Sequence, residues 1–414
     1  QWGSAVSIGA GGGARVATGS DGAAVVVWRL ARPEGFFEFD IWGSYRVGPG
    51  AWQTPEMLSV ETDGNANRVP AVAMDPSGEA IAMWQQQPGQ FPNLHSSALL
   101  SSGGWQAPEL VTLPDNPSAG TPLIVADADG NYLAAERSFD TNANQGTFLS
   151  IRSTPSGEWS DPSTIRVGSG TNSAVLKMRP DGTAIAVWQE IVIQNTTSIS
   201  GVWSNQYAPT GGWGSARQID NVSSSGSGAD VALDGQGDAL AVWLQAEGNI
   251  LDGTFVTNDW YNRLASGSWG TPEEVASEAS APRIAADDEG NAIAVSGDRP
   301  DPAEPFVYDL LRARRFTPTG GWGGPVPVGP ETGGSFEHRI AMDARGNALV
   351  VWEQEDGDVN SIWYNRYTPG GGWEGAQPLE SGAADANDPR ISIDPQGTAT
   401  VVWSQSGVWA RHFR

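Results

Sequence analysis

The feature that most constrains this chain is a thirteen-residue segment that recurs eight times. Its clearest copies lie at 72–84, 231–243, 340–352 and 391–403. Each copy joins two short apolar runs through a turn, usually D-x-x-G. The turn glycine recurs every 51 to 56 residues, at Gly22, Gly78, Gly130, Gly182, Gly237, Gly290, Gly346 and Gly397. A fixed period of this length is typical of propellers, solenoids and repeat arrays.

The two runs of each copy alternate small and apolar residues with a period of two, which predicts β-strands. The turn needs a glycine that can adopt a positive φ and an aspartate whose carboxylate can accept backbone N–H groups. Segment 127–131 (D-A-D-G-N) comes closest to a calcium loop, but it lacks the remaining ligands and the closing glutamate. Plain turn chemistry is therefore the preferred interpretation, and no metal site is predicted.

A second motif, W-x-x-P, alternates with the first, as at 52–55, 269–272 and 322–325. A third strand lies between the motifs, for example at 361–367, so each repeat holds four strands, here called a to d. Four antiparallel strands per repeat form one blade of a propeller. The last repeat lacks strand d, and such a strand opens the chain at 2–8.

We therefore predict an all-β protein, an eight-bladed β-propeller with four antiparallel strands per blade. The N-terminal strand completes the C-terminal blade and closes the ring, which removes exposed sheet edges. One domain is expected over 1–414. Its predicted blades lie at about 14–58, 70–111, 121–165, 173–219, 229–275, 282–328, 337–379, and 389–414 together with 2–8.

The a–b pattern, a proline or polar residue followed by V-A-x-D-x-x-G-x-A-x-x-V, resembles the NHL repeat of extracellular and bacterial propellers. Segments 282–295 and 389–403 carry it best. The W-x-x-P strand with its G-G-W turn is similar to sialidase-type and lectin-type propellers. This repeat-level resemblance implies a propeller fold. The sialidase Asp-box, S-x-D-x-G-x-x-W, is not matched, so the resemblance does not extend to sialidase activity.

Composition excludes several classes of function. The net charge of −25 repels nucleic acid phosphates and anionic lipid. There are no cysteines and no run of eighteen apolar residues, so disulfides and membrane insertion are not expected. The first residue is Gln1 rather than methionine, which suggests a processed or trimmed export precursor. A secreted, cell-surface or periplasmic bacterial protein without a cofactor is the expectation.

Nineteen tryptophans fall in three registers of the repeat. Those that end strand b and those that open strand d are expected to pack between blades. Five lie near the start of strand c: Trp42, Trp203, Trp260, Trp363 and Trp409. Two interpretations of these five stay open. They pack in the core, or they stack on a sugar ring while neighbouring Tyr, Asn and Arg side chains bind its hydroxyls, as in segment 363–366.

Four arginines share one position, seven residues before the turn glycine: Arg15, Arg283, Arg339 and Arg390. They belong to adjacent blades of a closed ring, and Asp230 holds the same position in the blade beside them. Because strand a is innermost, we expect these side chains to crowd one side of the channel mouth. Arginine forks bind carboxylates, sulfates and phosphates, so the group predicts an anion pocket, for example for an acidic sugar.

The alternative is that each arginine pairs with a nearby carboxylate: Asp230, Glu337, Asp385 or Asp388. Glu337 and His338 are the only clustered acid–base candidates, and no catalytic residue is predicted. The loops between strands b and c vary most and are expected to carry specificity.

Three functions remain open. The first is a non-enzymatic glycan-binding propeller, and the second is a lyase or hydrolase acting on an acidic glycan. The third is a cell-surface scaffold for protein partners. The ligand is expected at the channel mouth or between blades.

Overall fold

The computed structural model describes residues 1–33, 38–59, 70–86, 92–111, 121–140, 145–153, 157–168, 171–194, 197–221, 225–248, 256–298, 310–380 and 382–414. Regular structure in these residues is β-strand, apart from one 3-10 turn at Ser20–Gly22. In this part of the chain, no helix has the length and apolar character that a membrane crossing requires.

The described residues form thirty-six strands in eight sheets. Strand β1 is Val6–Gly9. Blade 1 contains β2 to β5 (Gly12–Thr18, Ala24–Ala31, Phe39–Arg46, Glu56–Met57). Blade 2 contains β6 to β9 (Ala71–Met74, Ala80–Gln86, Asn93–Leu99, Glu109–Leu110). Blade 3 contains β10 to β13 (Leu123–Ala126, Tyr132–Asp140, Gln145–Ser153, Ser163–Gly168).

The next two blades follow in the same order. Blade 4 contains β14 to β18 (Thr171–Met178, Ala184–Gln194, Thr197–Ala208, Gly212–Trp213, Arg217–Gln218). Blade 5 contains β19 to β23 (Ser225–Leu233, Ala239–Glu247, Val256–Ala265, Ser268–Trp269, Glu273–Ala276).

The last three blades complete the chain. Blade 6 contains β24 to β28 (Ala279–Ala286, Ala292–Asp298, Leu310–Thr317, Gly321–Trp322, Val326–Pro327). Blade 7 contains β29 to β33 (Ser335–Met342, Ala348–Asp356, Val359–Thr368, Gly372–Trp373, Gln377–Pro378). Blade 8 contains β34 to β36 (Asn387–Ile393, Ala399–Ser404, Val408–Phe413) and receives β1.

Seven blades are thus built from consecutive strands, and blade 8 combines strands from the two ends of the chain. Strand β1 runs antiparallel to β36, with Val6 opposite Ala410, and Trp2 forms an isolated bridge with Phe413. The innermost strands of successive blades contact one another around the ring, and β2 contacts β34. The architecture is a β-propeller in which the N-terminal strand completes the last sheet.

The prediction of uniform blades with four strands each is wrong. In blades 4 to 7 the outer edge consists of two short segments that both pair with the third strand, so these sheets have five strands. The strand expected at 373–379 is interrupted between β32 and β33. A glycine or proline follows the tryptophan within three residues in each of these blades. Glycine weakens a strand and proline cannot donate to its ladder, which explains the interruption.

The D-x-x-G turns use their aspartates for backbone bonding, as the preferred interpretation predicts. Asp343 Oδ1 accepts the backbone N–H groups of Arg345 and Asn347, both at 2.9 Å. Gly346 has a φ of 83°, which glycine adopts without strain. The same pair of bonds recurs at Asp75, Asp127, Asp234, Asp287 and Asp394. No group of three or more potential metal ligands occurs among the described side chains.

Tryptophan at the end of strand b fills the joints between blades. Six such residues are at most 1% exposed: Trp28, Trp84, Trp188, Trp243, Trp352 and Trp403. Burial of one indole contributes about 4 to 6 kcal/mol as an upper limit. Five of these indoles donate their N–H to a Gln or Glu two residues later, as Trp352 does to Gln354 at 2.9 Å. The W-x-Q or W-x-E spacing is the sequence signal for this bond.

Buried asparagines tie neighbouring blades together. Asn365 Nδ2 donates to the Val328 carbonyl of blade 6 at 2.8 Å, and Asn365 Oδ1 accepts the Gly375 N–H at 3.0 Å. Asn205 and Asn262 donate to the preceding blade in the same way. The amide therefore satisfies backbone groups exactly where strand d is interrupted, as buried polar groups require.

We expect Asn365→Ala to lower the free energy of unfolding by about 1 to 3 kcal/mol, because it leaves buried backbone groups without partners. Chemical denaturation monitored by tryptophan fluorescence measures this change. The exposed turn residue Asp358 provides the control, and Asp358→Ala should stay within about 0.5 kcal/mol of the parent. Equal stability of the two variants would contradict the role given to Asn365.

Candidate functional site

Strand a presents the four predicted arginines at equivalent places around the central channel. Each lies opposite a valine of strand b, namely Val27, Val295, Val351 or Val402. The pairing register shifts immediately before the arginine in all four strands, which marks a β-bulge. A bulge redirects the side chain that follows it and is common beside binding sites. The structure therefore brings Arg15, Arg283, Arg339 and Arg390 together.

The bulge places one residue in the left-handed region of backbone conformation. In the four arginine-bearing strands these residues and their φ values are Gly13 (65°), Ala281 (51°), Glu337 (45°) and Asp388 (55°). Three of the four are not glycine, and such residues adopt this conformation at an energetic cost. In blades 7 and 8 the strained residue is itself a carboxylate, which sets it beside the arginine two positions later.

The four arginine side chains share one conformation. Each Nη1 donates to the carbonyl of the preceding residue, at 2.8 Å for Arg15, 2.8 Å for Arg283, 2.7 Å for Arg339 and 2.9 Å for Arg390. This bond holds the head group near its own strand and uses one of its five N–H donors. The repeated geometry makes the four side chains a single arc of like-oriented forks.

Carboxylates pair with part of this arc, as the alternative interpretation expects. Asp388 contacts Arg390 at 2.5 Å and Arg15 at 3.5 Å. Glu337 contacts Arg339 at 2.8 Å and Arg390 at 3.8 Å. Asp385, the fourth predicted partner, instead accepts the backbone N–H of Asn360 at 2.9 Å.

Asp230 lies at the end of the arc, in blade 5. Its carboxylate accepts the backbone N–H of Val231 at 2.9 Å and that of Ile284 at 3.1 Å, and its charge attracts Arg283. The four guanidinium groups therefore lie near Asp230, Glu337 and Asp388, and Glu353 also interacts with the charge of Arg390. This grouping of four arginines stands out in a protein of net charge −25.

Burial and mutual repulsion act on the arginines of this arc. Burial, followed by the charges of Arg339 and Arg15, lowers the pKa of Arg390 to about 9. Burial also lowers the pKa of Arg15 and of Arg283, with a further contribution from Arg339. Burial alone would raise the pKa of Glu337, but the neighbouring arginine charges lower it. An added anion would relieve the repulsion among the guanidinium groups.

Two adjoining cavities occupy the channel beside the arc. One has a volume of about 610 Å³ and is lined by Arg15, Arg339 and Arg390. The other has a volume of about 380 Å³ and is lined by Arg283, Arg339, Arg390 and Asp230. Together their lining residues come from strand a of all eight blades. Because Arg339 and Arg390 line both cavities, the arc faces one continuous space of ligand size.

The opposite wall of this space is mostly apolar and also carries Glu136 and Arg137 of blade 3. The positions that carry arginine in blades 6, 7, 8 and 1 carry Ala71, Leu123 and Val175 in blades 2 to 4. Pro70 and Pro122 line the same wall. The site is therefore asymmetric, with four arginines on one side and a mostly apolar wall that carries Glu136 and Arg137 on the other, and suits a ligand that has both acidic groups and C–H surface.

His338 is placed for structure rather than for proton transfer. It is buried, and its Nε2 lies 2.8 Å from the Ala281 carbonyl, the left-handed residue of blade 6. Burial, Arg283 and Arg339 lower the pKa of His338 to about 4. A neutral imidazole donating from Nε2 thus links blade 7 to the bulge of blade 6.

The five strand-c tryptophans pack against the core. Each lies directly opposite a strand-b tryptophan, as Trp363 lies opposite Trp352, and each is only partly buried. Trp42, Trp203, Trp260, Trp363 and Trp409 all contact the buried apolar clusters of the blades. This placement favours the packing interpretation, and ligand contact at these residues stays a prediction.

The polar neighbours expected to bind sugar hydroxyls have partners within the protein. Tyr364 Oη donates to Gln377 at 3.1 Å, and Arg366 pairs with Glu374 at 2.6 Å. Asn365 is the interblade link described above. The b–c loops expected to carry specificity lie largely outside the described residues.

No protein-family model and no curated protein matches this chain. Among solved structures it resembles an ulvan lyase of polysaccharide lyase family PL25 bound to -[GlcA(1-4)Rha3S]-. The TM-score is 0.52 at 12% identity, over 80% of this chain and 89% of that one. It also resembles the β-propeller domain of the Trilobed protease from Pyrococcus furiosus, with a TM-score of 0.50 at 7% identity over 82% and 92% of the two chains. At these identities the similarity shows the β-propeller fold alone.

His338 predicts a pH dependence of stability. Its pKa is lowered in the folded protein, so its contribution is present above the ordinary histidine pKa and is lost as pH falls toward about 4. The unfolding free energy of the parent falls as the pH is lowered from 7 to 5. In His338→Gln this fall should be smaller by about 1 to 2 kcal/mol. Urea denaturation at the two pH values measures the difference.

Taking the difference between parent and variant cancels the other groups that titrate in this window. One of these is Asp220, whose pKa burial raises to about 6. The same pH slope in His338→Gln as in the parent would show that His338 titrates normally.

Proposed function

We propose that this propeller binds an acidic glycan in its channel, through the arc of Arg15, Arg283, Arg339 and Arg390. The observation that carries the proposal is the convergence of four guanidinium groups from adjacent blades on one cavity, although the protein as a whole is strongly acidic. Charge-assisted bonds from arginine to carboxylate or sulfate are short and directional, so an arc of forks suits a chain of acidic sugars.

The shape of the site supports a sugar over a compact inorganic anion. The apolar wall of Ala71, Leu123 and Val175 offers contact to the C–H face of a pyranose, while the arginines face its acidic substituents. Asp230 lines the cavity at the end of the arc and can accept a sugar hydroxyl. A secreted or cell-surface protein would meet such a ligand, in agreement with the location expected from the sequence.

Binding without catalysis is the preferred form of this proposal. The one histidine of the arc, His338, is buried and bonded to a backbone carbonyl, so it does not reach the cavity as an acid or base. The resemblance of the repeats to lectin-type propellers agrees with a binding role, although the arginine arc is confined to four blades.

A second candidate is an enzyme that acts on the same acidic glycan. It is favoured by the asymmetry of the site and by the carboxylates near the cavity, since Glu136 lines it opposite the arginine arc. Paired carboxylates are the groups that glycoside hydrolysis requires. Incubation with oligouronates, followed by assays for new reducing ends and for unsaturated products, distinguishes turnover from binding.

The arc is tested by Arg339→Gln combined with Arg390→Gln. Each lost charge-assisted contact costs about 1.5 to 3 kcal/mol, so we expect affinity for an oligoglucuronate to fall at least about 100-fold. Isothermal titration calorimetry measures the affinity, with a neutral oligosaccharide of equal length as the reference ligand.

The matched control combines Arg315→Gln with Arg345→Gln, which makes the same charge change at two exposed positions outside the channel. It should bind like the parent. A parent that binds no acidic oligosaccharide, or an arc variant that binds as tightly as the control, would rule out the proposed site.

A further inference from the structure

A polar pair replaces an apolar pair at one joint of the ring. The strand-c residue that pairs with the first residue of strand b is apolar or aromatic in six blades: Leu99, Tyr207, Leu264, Phe316, Tyr367 and Phe413. Blade 3 has Ser153 there. Blade 1 has Arg46, opposite Ala24. A charged side chain thus stands where the repeat otherwise places core residues.

The residue that faces Arg46 from blade 8 also departs from the repeat. The second residue of strand b is aliphatic in seven blades: Val25, Ile81, Leu133, Ile185, Leu240, Ile293 and Leu349. Six of them pack toward the next blade, as Ile185 does with Leu264 and Leu240 with Phe316. In blade 8 this residue is Thr400, which is fully buried and faces Arg46 of blade 1.

Arg46 is buried without a carboxylate. The residue is 6% exposed, and the only charge among the described residues that acts on its guanidinium is that of Arg414. Its Nη2 lies 3.5 Å from the Thr400 hydroxyl and contacts the His412 ring, and its Nε has no partner among the described atoms. Its guanidinium lies 5.5 Å from the centre of the Trp52 ring.

Arg314, another buried arginine of this protein, has a carboxylate partner. It is similarly buried, and it forms two bonds to Asp298, at 3.0 Å and 2.6 Å. Burial of an ion without a counter-charge is costly, so a buried guanidinium normally has a partner. The counter-charge that Arg46 lacks among the described residues can come from a ligand.

The surroundings of Arg46 are rich in donors and open to a cavity. Arg46 and Arg414 both donate to the His412 ring, yet a neutral imidazole accepts at only one nitrogen. A cavity of about 380 Å³ adjoins the group and is lined by Arg46, Trp52, Thr54, Ser7, Thr400 and His412. This cavity lies near the a–b turns, because Arg46 pairs with the first residue of strand b. The arginine arc lies toward the other end of strand a, because Arg15 is near the start of that strand.

We propose that this joint between blades 8 and 1 is a second ligand site, for a small molecule that carries a carboxylate or sulfate. The oxyanion accepts from the Arg46 fork, the hydroxyls of Thr400, Thr54 and Ser7 bind its other polar groups, and Trp52 flanks it. Such a ligand supplies the missing counter-charge and an acceptor for the Arg46 Nε, and it bridges the composite blade to the first blade. The site is separate from the arginine arc and does not depend on the proposed channel function.

Glucuronate is the probe, and the background is the arc variant Arg339→Gln with Arg390→Gln, which isolates the joint. In this background we expect one equivalent of glucuronate to bind, whereas glucose at equal ionic strength does not bind. Adding Arg46→Leu, the residue found at this position in blades 2 and 5, should weaken glucuronate binding at least tenfold in calorimetry. Inorganic sulfate in place of glucuronate tests whether the oxyanion alone suffices.

The control adds Arg366→Leu to the same background. Arg366 also lies on strand c but is paired with Glu374, so its loss makes an equal charge change and should leave binding unchanged. Binding of glucuronate and sulfate within twofold of the background after Arg46→Leu, or no binding of either probe in the background, would overturn the proposal. If the parent does not bind an oligoglucuronate in the channel but the joint still binds glucuronate, only the proposed channel function is refuted.

Stability gives a second measurement that does not need a channel ligand. Without anions, Arg46→Leu should melt at least as high as the parent, because it restores the apolar pair of the other joints. Glucuronate should raise the parent's melting temperature and leave that of Arg46→Leu unchanged. An equal rise in both proteins would overturn the proposal. If Arg46→Leu does not fold, Arg46→Lys keeps the charge without the planar fork and should also bind at least tenfold more weakly.

Discussion

The ring depends on how one tryptophan is buried at each of six joints between blades. The indole at the end of strand b removes a large apolar surface from water, and in five joints its N–H is satisfied by a Gln or Glu two residues later. A chain without cysteines has no covalent bond to hold eight sheets in a circle. Packing between blades, and the strand exchange in blade 8, must therefore supply that stability.

This arrangement leaves the innermost strands free to carry a site. The outer edge of strand a pairs with strand b, and its inner edge faces the channel. In blades 1 and 4 to 8 a bulge at a constant position redirects one residue of this strand. The identity of the residue at this position largely decides the character of the wall. Arginine in four adjacent blades and small apolar residues in three others give one channel two chemically different sides.

Features that repeat were predictable from the sequence, and features that interrupt the repeat were not. The turn glycines and the tryptophan registers predicted strands and core because each requirement recurs in register. Counting back from the turn glycine also grouped Arg15, Arg283, Arg339 and Arg390. The interruption of strand d by glycine or proline was missed, because the tryptophan before it and the apolar residues after it suggested one strand. The buried role of Asn365 depends on a carbonyl of another blade, which no local pattern contains. The unusual place of Arg46 became apparent only once strand pairing aligned, across the blades, the strand-c residue opposite the first residue of strand b.

Hydrogen exchange with and without an oligoglucuronate tests the central claim most directly. We expect slower exchange at the beginning of strand a in blades 6, 7, 8 and 1, around Arg283, Arg339, Arg390 and Arg15, and little change at strand c. That pattern would place the ligand against the arginine arc. Protection at the strand-c tryptophans alone, or no protection at any segment while the ligand is bound, would contradict a channel site.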